Sequence, residues 1–125
     1  MKKILVLGGG GFIGGHIAKK HKILGNYVVC VDIKKNEFQD EGFCDEFFLG
    51  DLRDYKFVEK IIKTYEYDEV YQLAADMGGA GYINTGDHDA DVMNNSAKIN
   101  LNVVEAAHRN GIEQVFFSSS ACVYN

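Results

Sequence analysis

A chain of 125 residues, 46% hydrophobic and 25% charged, has the make-up of one ordinary soluble globular domain with room for a real core. Its net charge of −5, with no basic cluster longer than two residues, argues against a nucleic-acid surface. No apolar run approaches the ~20 residues of a membrane span, and the four apolar residues behind Lys2 and Lys3 are too few for a secretory signal. In chain order, Ile4-Leu5-Val6-Leu7 reads as a buried parallel strand over about 3–7. Glycines turn the chain, and apolar Ile13, Ile17 and Leu24 predict a helix over about 11–24. A second strand follows at about 27–32. A charged loop from Lys34 to Asp45 leads to a short strand at Glu46-Phe47-Phe48-Leu49. Phe57, Val58, Ile61, Ile62 and Tyr65 share one face of a helix over about 55–65, with Asp54 placed to cap it. A fourth strand spans about Glu69 to Leu73. The glycine-rich loop Met77-Gly78-Gly79-Ala80-Gly81 comes next, then a helix from about Asp91 to Asn110, ended by Gly111. Gln114 to Ser118 makes a fifth strand.

Alternating strands and helices predict a parallel sheet covered on both faces. Right-handed crossovers then favour the strand order 3-2-1-4-5, half or slightly more of a doubly wound fold. In that order the fifth strand, with Val115, Phe116 and Phe117, lies at an edge. An apolar edge strand is a liability. More sheet or helix is therefore expected after Asn125.

The chemistry concentrates at the first turn. Gly8-Gly9-Gly10-Gly11-Phe12-Ile13-Gly14 sits between a strand and a helix. Such a turn offers bare N–H groups and a positive helix end to a pyrophosphate. Gly8 suits the tight turn, Gly11 leaves the phosphates their space, and Gly14 lets the helix approach the strand. Because Gly9 and Gly10 are also glycine, other registers remain open. Asp32, at the end of the second strand, lies about 20 residues on, where a dinucleotide site places a ribose carboxylate. A carboxylate there accepts from the ribose hydroxyls and repels a 2′-phosphate, favouring NAD over NADP. Lys34 and Lys35 pull the other way, and a plain turn cap remains the alternative for Asp32. Cys30, Cys44 and Cys122 have no paired spacing, which predicts free thiols in a reducing cytoplasm. The four histidines form no metal-ligand pattern. His16 and His21, five apart, point to different faces of the first helix and suit surface or packing roles.

The glycine turn, Asp32, the pair Asp51-Leu52, the strand end Leu73-Ala74-Ala75 and the run Ser118 to Tyr124 occur in order along nearly the whole chain. Together they resemble extended short-chain dehydrogenases/reductases of the sugar-nucleotide epimerase and dehydratase kind, which implies a Rossmann-type sheet and NAD as cofactor. Phe43 to Phe47, Ala74 to Gly81 and Ser119 to Tyr124 resemble more narrowly the GDP-mannose 3,5-epimerase branch, Cys122 being the telling residue. The resemblance implies transient oxidation of a sugar-nucleotide substrate, proton exchange beside the resulting ketone, and re-reduction.

Residue by residue, it places Gly8, Gly11, Phe12, Ile13 and Gly14 at the pyrophosphate turn and Asp32 at the ribose. Asp51 and Leu52 meet the adenine ring, although Asp51 equally starts the turn before the second helix. Leu73, Ala74 and Ala75 lie along the cofactor. Met77, Gly78, Gly79, Ala80 and Gly81 line the sugar pocket. Ser120 holds the reacting hydroxyl, and Cys122 is an acid/base whose thiol needs a positive partner to act near neutrality. Against these stand plainer readings: Ser118 to Ser120 as small packing residues, Cys122 as a buried hydrophobe, and Met77 to Gly81 as an unliganded loop. Cys30 and Cys44 are expected to be structural. Of Asn94, Asn95, Asn100 and Asn102, one is expected to order a buried backbone or water near the site. Related enzymes carry a Tyr-x-x-x-Lys pair and a smaller substrate domain further on, so residues 1–125 are expected to be the N-terminal, NAD-binding part of such an enzyme, inactive alone. A homodimer is implied by resemblance only. The alternatives are a non-catalytic dinucleotide-binding module, and a UDP-sugar 4-epimerase or 4,6-dehydratase.

Overall fold

A computed structural model of the chain describes residues 1–74 and 89–118. The elements are β1 (Lys3–Leu7), α1 (Phe12–Ile23), β2 (Tyr27–Asp32), β3 (Glu46–Leu49), α2 (Tyr55–Ile62), β4 (Glu69–Gln72), α3 (Asp89–Arg109) and β5 (Val115–Phe117). All five strands are parallel in the order β3-β2-β1-β4-β5, as the alternation predicts. The register pairs Leu5 with Val29 on one side of β1 and with Val70 on the other.

Both faces of the sheet are dry because β1 and β2 are apolar at every interior position. Leu5, Leu7, Val29 and Val31 face Val58, Ile61 and Ile62 of α2 and Ile99, Val103 and Ala106 of α3. Ile4, Val6, Val28 and Cys30 face Ala18 of α1. Each fully buried aliphatic side chain there contributes about 1.5–3 kcal/mol. Asp54 caps α2 by accepting from the Lys56 backbone N–H at 3.0 Å. The apolar face read for α2 is present, though the helix stops at Ile62 and Tyr65 packs from the loop beyond.

The packing of α1 departs from expectation. Of the apolar stripe that announced α1, Ile17 packs on the sheet while the two ends stay outside. Ile13 is 63% exposed and Leu24 64% exposed, while Gly14, Gly15 and Ala18 are buried. A helix seated on a sheet by glycine and alanine approaches more closely than leucine or isoleucine allows. At the far edge, β5 leaves Phe116 and Phe117 about half exposed, as expected for that strand.

Candidate functional site

Every candidate residue among those described lies at the carboxyl ends of the strands. β1 sits at the point where the strand order reverses, the crevice where ligands of open α/β sheets bind. The glycine turn is held there by its own backbone. The N–H groups of Gly8 and Gly9 donate to Val31 O at 2.7 and 3.2 Å, and Gly11 N–H donates to Gly8 O at 3.1 Å. Gly8 has φ +94°, and a Cβ on it would lie 2.7 Å from Ala74 N. A Cβ on Gly14 would overlap the Gly8 carbonyl oxygen. Gly11 differs from both: its Cβ would meet only Gly8 O at 3.5 Å, ordinary contact.

Gly8 makes the tight turn and Gly14 the close approach of helix to strand, while the space at Gly11 is bounded by no protein atom closer than 3.5 Å. Gly9 and Gly10, outside that set, are as constrained as Gly8, because Cβ atoms there would collide with Cys30 and with Asp32 and Lys34. Gly11 is the N-cap of α1 and provides no side-chain cap. The N–H groups of Phe12, Ile13 and Gly14 therefore have no intrahelical acceptor and stand at the positive end of the helix. Phe12, 59% exposed, lies edge-on to His16 and Phe38 at the rim of the turn.

Asp32 Oδ2 accepts from Gly10 N–H at 2.9 Å and Oδ1 from Ile33 N–H at 2.6 Å. The carboxylate thus braces the turn while each oxygen keeps a further acceptor site. Asn36 was missed from sequence. Its amide nitrogen donates to Gly9 O at 2.8 Å and Gly11 O at 3.1 Å, and its Oδ1 accepts from the Phe38 and Gln39 backbone N–H groups. It ties the loop after β2 to the glycine turn. The only signal was an asparagine shortly after the strand-ending Asp32.

The Arg53 guanidinium forks onto both oxygens of Asp51 at 2.6–3.0 Å and holds its carboxyl below the usual range. Leu52 is buried, 4% exposed, so its side chain anchors the turn in the core while the Asp51 carboxylate beside it stays partly exposed. At the next strand end, Leu73 N–H donates to Leu7 O at 2.8 Å. Gln72, 2% exposed, folds back onto Ala74, donating to its carbonyl at 2.7 Å and accepting from its N–H at 3.2 Å. Its amide also donates to Asn100 Oδ1 at 2.9 Å. Two of the α3 asparagines thus have work near the site: Asn100 on Gln72, and Asn102 on the backbone of Leu52 and Arg53.

Cys30 is fully buried beneath Gly9, and Cys44 packs against the same cluster, as structural cysteines do. His16 and His21 make packing and hydrogen-bond contacts, His21 with Tyr71 and Asn26. Ala75, the Met77–Gly81 loop, Ser120 and Cys122 lie outside the described residues. Among the described residues, no helix is long and apolar enough to cross a membrane.

The model of the NAD dependent epimerase/dehydratase family matches residues 4–125. GDP-mannose 3,5-epimerase of Arabidopsis thaliana is 48% identical over 124 residues, which cover 98% of this chain and 32% of that protein. UDP-glucose 4-epimerase of Neisseria meningitidis serogroup C is 33% identical over 135 residues, covering 99% of this chain and 38% of that protein. A crystal structure of UDP-glucose 4-epimerase superposes with a TM-score of 0.83 at 31% identity, over 98% of this chain and 37% of that one. The UDP-glucose 4-epimerase of Thermus thermophilus, in complex with NAD, does so with 0.78 at 30% identity, over 94% and 37%. The chain thus spans about a third of the length of the relatives it matches. With the glycine turn, the braced Asp32 and a family match over nearly its whole length, this chain belongs to the NAD-dependent epimerase/dehydratase family.

Proposed function

We propose that residues 1–125 form the NAD-binding part of a sugar-nucleotide epimerase acting on a GDP-mannose-like substrate. The observation that carries this reading is the open space at Gly11, directly in front of an uncapped helix N-terminus. Of the glycines at the turn's three key positions, this is the one whose vacancy no protein atom requires. A pyrophosphate fits there, against the N–H groups of Phe12, Ile13 and Gly14. Asp32 keeps acceptor sites for ribose hydroxyls, and the Asp51–Leu52 turn, anchored in the core by the Leu52 side chain, offers the adenine an ionised carboxylate. Leu73 and Ala74, with Ala75, would lie along the nicotinamide half. The small side chains there suit a flat ligand.

When bound, NAD⁺ would supply a hydride acceptor that later returns the hydride. The chain's own residues would do the rest. The Met77–Gly81 backbone would admit the sugar closely, Ser120 would hold the reacting hydroxyl, and Cys122 would move a proton at the carbon beside the oxidised centre. The 48% identity to the Arabidopsis enzyme and the Ser119-Ser120-Ala121-Cys122 run support GDP-mannose chemistry over the alternatives. No Tyr-x-x-x-Lys occurs within these residues, so on this reading they bind NAD without turnover. Exposed Leu101 and Val104 on α3 support the homodimer that the resemblance implies.

The test is exchange in heavy water with the full-length protein, NAD and GDP-mannose. Deuterium entering sugar positions C3 and C5 is the expected result. Inversion at C4 of a UDP-sugar without solvent deuterium would transfer the chain to the 4-epimerase reading.

A further inference from the structure

The turn Gly50–Arg53 carries the Asp51–Leu52 pair at the carboxyl edge of the sheet, and it is tied down at both ends. At one end Gly50 N–H donates to Asp32 O at 3.0 Å, and the Phe57 ring fills the space a Gly50 Cβ would need. At the other end the Asn102 amide nitrogen, reaching across from α3, donates to Leu52 O and to Arg53 O, each at 3.0 Å. One nitrogen with two hydrogens thus spans two consecutive carbonyls. Of the side chains similar in size to asparagine, neither aspartate nor leucine can do this, since one has no donor and the other no polar atom. Asparagine is a modest helix former, about 0.6 kcal/mol worse than alanine inside a helix. Its place in the middle of α3 therefore asks for a reason, and the bridge provides one.

We propose that Asn102 is a positioning residue for the adenine end of the cofactor, holding the Asp51–Leu52 turn in its binding shape before the ligand arrives. This rests on the NAD-binding reading above. Both bonds are made within the chain and touch no part of the ligand, so their effect on affinity is through preorganisation: a loosened turn must be ordered at the moment of binding. The cost falls on ligands whose base uses the turn and spares those whose base does not.

The experiment compares NAD with nicotinamide guanine dinucleotide, which keeps the pyrophosphate and nicotinamide but changes the base. In Asn102→Ala, NAD affinity falls about ten-fold while the guanine dinucleotide changes less than about two-fold, so the preference between them collapses. Asn102→Asp, of the same shape but without donors, gives the same collapse, and it carries the test if the alanine variant does not fold. An unchanged preference in a folded variant overturns the role of Asn102 alone. A wild-type chain that binds neither dinucleotide overturns the cofactor reading itself.

Discussion

Replacing glycines one at a time along the first turn separates those the fold needs from the one the ligand needs. Gly8→Ala meets two costs. A side chain at φ +94° is strained by about 1–2 kcal/mol. Its Cβ would also press to 2.7 Å from Ala74 N and 2.8 Å from Leu73 C, backbone that can yield only by shifting the end of β4, at about 1–3 kcal/mol. Together that is roughly 2–5 kcal/mol, a large part of the 5–15 kcal/mol a domain has. Gly14→Ala overlaps the Gly8 carbonyl at a similar overpacking cost, offset by about 1 kcal/mol of helix propensity. Gly11→Ala meets nothing closer than 3.5 Å, and its backbone is extended at φ −87°, ψ 174°. Its stability should stay within about 1 kcal/mol of wild type. Thermal unfolding reads the difference, at roughly 3–5 °C per kcal/mol for a chain of this size. Gly8→Ala should melt some 6 °C or more below wild type and Gly11→Ala within about 4 °C of it. Gly11→Val should then keep the fold and lose at least about ten-fold in NAD affinity, because its branches enter the phosphate space. A Gly11→Ala variant as unstable as Gly8→Ala, or a folded Gly11→Val variant that binds NAD like wild type, refutes the reasoning.

Two stability predictions follow from buried polar groups. Gln72→Leu keeps the volume but removes the partner of both the N–H and the carbonyl of Ala74, and should cost about 2–3 kcal/mol in urea unfolding; a neutral result would show that water replaces the side chain. Burial lifts the Tyr67 phenol to about 12, so the folded chain keeps its proton where the unfolded chain loses it near 10. Its stabilisation is complete below pH ~10 and is lost as pH rises toward ~12, by roughly 2–3 kcal/mol. Tyr67→Phe should flatten that stretch of the pH profile of unfolding, and a profile unchanged by the substitution would place the alkaline loss elsewhere.

The sheet was legible in the sequence because β1 and β2 are apolar without interruption, a pattern that only a strand buried on both faces requires. Strand order followed from crossover handedness rather than from any residue. The glycine turn and Asp32 were legible because their spacing is itself the constraint. What packs α1 was legible only in part: of the stripe Ile13, Ile17 and Leu24 only Ile17 packs on the sheet, because the closeness set by Gly14 and Ala18 decides which face is buried. The supports of the site were equally hidden. Asn36 bonds backbone 25 and 27 residues away, and Asn102 bonds backbone 49 and 50 residues away. No local pattern announces a side chain whose partners are remote carbonyls. The run of asparagines in α3 hinted at such a role without saying which of them had it.

The most direct test of the cofactor site is a titration of the ¹⁵N-labelled chain with NAD, followed amide by amide. The predicted result is saturable shifts at Gly11, Phe12, Ile13 and Gly14, at Asp32 to Asn36, and at Asp51 and Leu52, all fitting one dissociation constant. No shifts at millimolar NAD in a folded sample, or shifts confined to the opposite edge of the sheet, would contradict it.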